Sequence, residues 1–136
     1  MEYYIETRSE KTRKFVDSIL PSMLEQTKLT NNKKLLHIKF DRDMEDLATM
    51  IPMLGIDTFL IVIKPTRNWH ELGVTLAHEL IHVAQVAKGT LKFVAKGRTW
   101  QGKFYNRRVP YLSQPWEVQA FREQEMLFRR AVETNG

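Results

Sequence analysis

Asn68-Trp69-His70-Glu71-Leu72-Gly73-Val74-Thr75-Leu76-Ala77-His78-Glu79-Leu80-Ile81-His82-Val83-Ala84-Gln85-Val86-Ala87-Lys88-Gly89 is the stretch around which the rest of the chain is arranged. Asn68 stands where a side chain caps a first helical turn, with Glu71 three residues on as its reciprocal partner. Gly89 suits a stop for a helix from Trp69 to Lys88. Leu72, Leu76, Leu80, Val83 and Ala87 form an apolar stripe that Ala77, Ile81 and Ala84 widen, so the helix is expected to be mostly buried. One face breaks that pattern with Thr75, His78, His82 and Gln85. Polar groups on a buried helix need partners, and a metal ion is one candidate.

Positions i and i+4 of a helix share a face, so the rings of His78 and His82 can point at one cation while Glu79 lies about 100° round the axis, beside its open side. That is the ligand and base geometry of a zinc hydrolase. A catalytic zinc takes three protein ligands and leaves one position for water. The chain has no cysteine, which excludes a thiolate, and neither histidine nor aspartate follows His82. The downstream candidates are Glu117, Glu123, Glu125 and Glu133. Glu117 stands out because Pro115-Trp116-Glu117-Val118-Gln119-Ala120 reads as the first turn of a terminal helix reaching about Val132, with Ala120 small enough to allow close helix packing. The competing reading is that an acid in a first turn simply caps the helix and favours its dipole. For His78 and His82 it is two structural imidazoles spaced by four. His37 and His70 are assigned no role.

Outward from the central helix, residues 9–28 carry apolar residues at i, i+4, i+8 (Phe15, Ile19, Met23; Val16, Leu20, Leu24) and predict an amphipathic helix that Pro21 should kink or split. Lys34 to Phe40 alternates as a strand. Asp43 is expected to cap a short helix bearing Met44, Leu47 and Ile51, ended by Pro52 and Gly55. Thr58 to Ile63 is a nearly continuous apolar strand stopped by Pro65. Leu91, Phe93 and Ala95 alternate, Lys96-Gly97 can turn, and Arg98 to Tyr105 can return as a hairpin partner. The sum is an α+β fold: a small, largely antiparallel sheet, the metal helix packed on it, and a C-terminal helix that delivers the third ligand.

At 136 residues the chain is expected to form a single domain over 1–136 with a genuine core. Without cysteine it needs no oxidising compartment, its first residues do not read as a secretory signal, and its longest apolar run, Phe59 to Ile63, is too short to span a membrane. A soluble, cytoplasmic protein is expected. Basic residues outnumber acidic ones 21 to 16, and seven (Lys88, Lys92, Lys96, Arg98, Lys103, Arg107 and Arg108) fall in 88–108, where there is no acid. Such a hairpin could attract nucleic acid, with Trp100, Phe104 and Tyr105 stacking on bases; the plainer reading is a solvated surface whose aromatics face a core.

His78-Glu79-x-x-His82 followed on the next helix by Glu117-x-x-Ala120 resembles the gluzincin branch of zinc metallopeptidases, in a minimal form similar to the small HExxH proteins of bacteria and their phages. The resemblance covers about the second half of the chain. It implies a zincin-like active-site helix, zinc held by His78, His82 and Glu117, Glu79 as general base, and an extended polypeptide substrate along a sheet edge. Two departures stand out. Many members place an aspartate directly after the small residue, hydrogen-bonded to a ligand histidine; here that position is Phe121. The SprT-like proteases, otherwise of similar size, use a third histidine that this chain lacks. Tyr111 or Tyr105 could hydrogen-bond the oxyanion, as downstream tyrosines do in related enzymes, although packing is the ordinary role of both. The expected activity is peptide-bond hydrolysis by metal-activated water. The alternatives are a nucleic-acid-associated protease or binding module, and a non-catalytic protein with a structural metal.

Overall fold

The computed structural model describes residues 1–53 and 57–135. It is an α+β arrangement of three helices and two sheets among the described residues. Strands β1 (Glu2–Glu6), β2 (Leu35–Phe40), β3 (Ala48–Met53) and β4 (Thr58–Ile63) form a sheet of order β1-β2-β4-β3. In it β1/β2 and β2/β4 run parallel and β3/β4 antiparallel. Strands β5 (Leu91–Val94), β6 (Gly97–Trp100) and β7 (Lys103–Asn106) form a separate antiparallel meander. The expected single, largely antiparallel sheet is therefore corrected: the antiparallel character lies mostly in the meander. The main sheet is mixed because α1 (Glu10–Gln26) carries the chain back to start β2 beside β1 in the same direction.

Period-2 alternation sets the core. Leu36 and Ile38 of β2 and Phe59, Ile61 and Ile63 of β4 are buried on one face. They meet Val16, Ile19, Leu20 and Met23 of α1 and Leu72, Leu76, Leu80 and Val83 of α2 (Trp69–Ala87) in one apolar cluster. Each such side chain stabilises the fold by roughly 1.5–3 kcal/mol relative to exposure. Helix α3 (Pro115–Asn135) packs on α1 and α2 through Ala120, Leu127, Phe128 and Ala131. Ala120 is fully buried, as its small size suggested, and Gly73 adds a second close approach: a Cβ there would sit 2.0 Å from the Phe128 ring.

Four local expectations are revised. Helix α1 runs unbroken through Pro21, because Pro21 and Asp17, whose carbonyl loses its partner, are both exposed and water can take that bond. The short helix expected from Asp43 to Ile51 is absent: Asp43 lies in a turn, its N–H donating to Asp41 Oδ1, and Ala48–Met53 is strand. Gly55 of its expected stop lies outside the described residues. Pro52 is tolerated inside β3 because β3 is an edge strand. Lys64 N–H donates to Leu47 O, so alternation directs the backbone groups of Leu47, Thr49 and Ile51 toward β4 and those of Ala48, Met50 and Pro52 away from it. The return strand expected over Arg98 to Tyr105 is two strands, joined by Gln101 and Gly102 at φ 50° and 84°, the left-handed pair a type I′ turn requires. Finally, β1 carries no assignment in the sequence reading although Tyr3 and Ile5 alternate toward the interior.

Among the described residues no helix is long and apolar enough to cross a membrane.

Candidate metal centre

Helix α2 begins where the cap predicts. The Asn68 side chain accepts from Glu71 N–H at 3.0 Å, and the helix closes at Lys88 before Gly89, whose φ of 79° suits glycine. The reciprocal half of the capping box is not made. Asn68 N–H instead donates to Thr66 Oγ1, and the Glu71 carboxylate has no hydrogen-bond partner among the described residues.

On the polar face of α2, His78 and His82 are 7% and 6% exposed, and Glu117 from the first turn of α3 closes the group at 9%. His78 Nε2 and His82 Nε2 lie 2.9 and 3.0 Å from the same Glu117 oxygen, Oε1, and 3.2 Å from each other. The elimination that singled out Glu117 thus agrees with its position, whereas Glu125 pairs with His70 at the surface and Glu123 with Arg122. His70 Nε2 to Glu125 Oε1 is 2.7 Å.

The far sides of the two rings decide what the near sides can do. Gln85 Nε2 donates to Trp116 O at 3.0 Å and to Gln119 Oε1 at 2.8 Å. A carbonyl can only accept, so the amide orientation is fixed and Gln85 Oε1 faces His82 Nδ1 at 2.8 Å. His82 Nδ1 therefore carries its hydrogen, and the neutral ring turns a lone pair at Nε2 toward Glu117. His78 Nδ1 lies 2.7 Å from Gln124 Oε1, a contact that a hydrogen on Nδ1 satisfies. Two imidazole lone pairs and one carboxylate oxygen converge, an arrangement that requires a cation between them, whether a proton or a metal.

The shifts in acidity follow from this convergence. Burial alone would raise Glu117, but where a proton resolves the convergence, hydrogen bonding with His78 and His82 and the charge they then carry bring it down to about 2. Burial would lower His82, and the hydrogen bond and charge of Glu117 overcome it, holding the imidazole above its ordinary value. The buried His78, His82 and Glu117 group could hold a metal ion. Four-coordinate zinc with bonds of about 2.0–2.1 Å spaces its ligand atoms about 3.3 Å apart, close to the spacing of these three. Two imidazoles and a carboxylate, without thiolate, are also a donor set zinc accepts.

Gln85 and Gln124 occupy the orienting role left open by Phe121. Gln85 stands on the polar face read from the sequence, although no function attached to it. Gln124 lies seven residues beyond Glu117, on the same side of α3, and only the packing of α3 on α2 reveals it. Phe121 instead sets its ring edge-on against His78, centroids 4.6 Å apart.

Glu79 is 7% exposed and has no hydrogen bond or ion pair among the described residues. Burial raises its pKa, opposed by the charges of His82 and His78. Its carboxylate lines a cleft of about 570 Å³ between the free edge of β3 (Ala48, Thr49, Met50), the meander residue Phe93, and Tyr111. Tyr111, on a 3₁₀ turn from Tyr111 to Ser113, donates from its hydroxyl to Glu117 Oε1 at 3.1 Å. Burial and the charge of Glu117 raise its pKa. Tyr105 is not at the centre: its ring stands edge-on to Trp116, 5.6 Å between centroids.

The basic residues of 88–108 lie apart from the centre, apart from Arg98, which lines the cleft and stacks its guanidinium 4.3 Å from the centroid of Phe93. Phe104 is exposed and Trp100 half-buried. No family model, curated protein or solved structure matches this chain.

Proposed function

We propose that this chain is a zinc-dependent metallopeptidase. One observation carries the reading: two imidazoles, each with a glutamine amide against its far nitrogen, and a carboxylate oxygen converge beside a largely buried carboxylate that has no hydrogen-bond partner among the described residues, in a cleft floored by a free strand edge. A structural metal site would not need Glu79. A largely buried carboxylate whose oxygens meet only the cleft is a candidate for work on something that enters it.

His78, His82 and Glu117 would hold the zinc, which when bound supplies a Lewis acid for a carbonyl and lowers the pKa of water toward ~7. Glu79, its basicity raised by burial, takes the proton of the attacking water and hands it to the leaving amine. Tyr111 swings its hydroxyl from Glu117 to the oxyanion that develops at the attacked carbonyl. The outward N–H and C=O groups of Ala48 and Met50 hold an extended polypeptide by strand addition, and Pro52 offers only a carbonyl, which limits how far that pairing extends.

The test is a pair of variants assayed for bound zinc and for hydrolysis of a mixed peptide substrate. Glu79→Gln should keep zinc and lose at least about a hundredfold in kcat. Full activity in that variant would remove Glu79 from the mechanism. Zinc content unchanged in Glu117→Ala would return that residue to a capping role and leave the centre without a third ligand.

A further inference from the structure

A second hollow, about 460 Å³, opens on the other side of Glu79 and His78 from the meander. Its walls are apolar: Leu47, Ala48, Val74 and Phe121 line it, and Leu47 and Phe121 remain 60% and 46% exposed. Its rim is acidic. Glu71 from the first turn of α2 and Glu125 from α3 both border it, and among the described residues no lysine or arginine does, in a chain whose net charge is +5. Glu71 is free because Thr66 has taken the backbone N–H that a capping box would have given it. Among the described residues Glu125 pairs with the solvent-facing His70 alone. Glu79, buried and without a hydrogen-bond partner among the described residues, also lines the hollow.

An apolar wall leading from the reacting centre to a carboxylate rim fits a side chain with a hydrocarbon stem and a cationic head. Resting on the metallopeptidase reading, we propose that this hollow is a specificity subsite for a lysine or arginine next to the cleaved bond, so that the substrates are basic polypeptides. An aspartate or glutamate there would face Glu71, Glu125 and Glu79 at once. A leucine would cover the wall and leave the rim carboxylates without a partner.

Two measurements on the zinc-loaded protein decide it. In the first, cleavage sites in a peptide library are sequenced for wild type and for the double variant Glu71→Gln, Glu125→Gln, neither residue being in the catalytic set. Wild type should favour bonds flanked by Lys or Arg about five- to tenfold over those flanked by Leu, a margin that shrinks as salt rises. The double variant should lose the margin while cleaving Leu-flanked bonds as before. In the second, which needs no turnover, pentylamine and pentanol are titrated while the methyl resonances of Leu47 and Val74 are followed. The amine should bind more tightly than the alcohol in wild type and equally in the double variant. Cleavage without basic preference, or equal binding of the two probes by wild type, overturns the subsite and leaves the peptidase reading standing. Amine-selective binding with no cleavage of any peptide overturns the peptidase reading and keeps the pocket as a cation site.

Discussion

The candidate metal centre and the β5–β7 meander handle charge in opposite ways. At the centre the polar side chains other than Glu79 answer to one another: Gln85 to His82, Gln124 to His78, Tyr111 to Glu117, with His78, His82 and Glu117 each under a tenth exposed. On the meander and its flanks, six of the seven basic residues are exposed, and none has a carboxylate ion-pair partner among the described residues. Water satisfies the second set, so identities there are loosely constrained. The first set is largely buried and satisfied within the protein, so each identity is fixed by its neighbour. Substitutions of similar chemistry should therefore have very unequal effects in the two regions.

The largest effect is expected at the ligands. His82→Ala should leave no stoichiometric zinc after gel filtration, read by elemental analysis, and should abolish hydrolysis; retained zinc would break the contrast. Next comes Gly73→Ala, which sets a methyl into the Phe128 ring and forces α3 away from α2. Overpacking of this kind costs about 1–3 kcal/mol, and because α3 carries Glu117 the zinc affinity should fall with it. Gln85→Leu follows, a similar volume without the amide. It should weaken zinc about 10–100-fold by freeing the His82 ring while the fold persists, measured by competition with a chelator.

Acidity sharpens the same contrast. Glu117, lowered from 4.5 to about 2, contributes stability that is present above its ordinary value and lost as pH falls toward 2. His82 and Glu79 are raised, so their contribution is lost as pH rises through their folded values. Metal-free protein should thus be most stable in mild acid and decline toward neutrality, where zinc takes the place of the proton. Urea midpoints of metal-free and zinc-loaded protein across pH 3–9 should diverge above neutrality, and parallel curves would show that no metal occupies the site. The smallest effect belongs to the meander: Lys92→Glu should change stability by less than about 0.5 kcal/mol and leave zinc affinity untouched.

The uneven legibility of the sequence has the same root. Helix α2, its caps, its buried stripes and the shared face of His78 and His82 were readable because a 3.6-residue period and a capping side chain act within one or two turns. Glu117 was reachable by elimination, since the chain offers so few late acids or imidazoles. Met44 to Ile51 misled because spacings of three and four suit a helix, while pairing with β4 imposes a strand that no local signal announces. The same holds for Arg98 to Tyr105, where Gln101-Gly102 turns the chain although nothing but a single glycine interrupts the strand pattern. What the sequence alone determined is helix α2 and the shared face of His78 and His82, set by the local geometry of one backbone spiral. What the tertiary structure decided is which strand presents a free edge, which amides orient the imidazoles, and where Glu79 and Glu71 are left without partners. Each of those depends on groups brought together from distant parts of the chain by burial of the core.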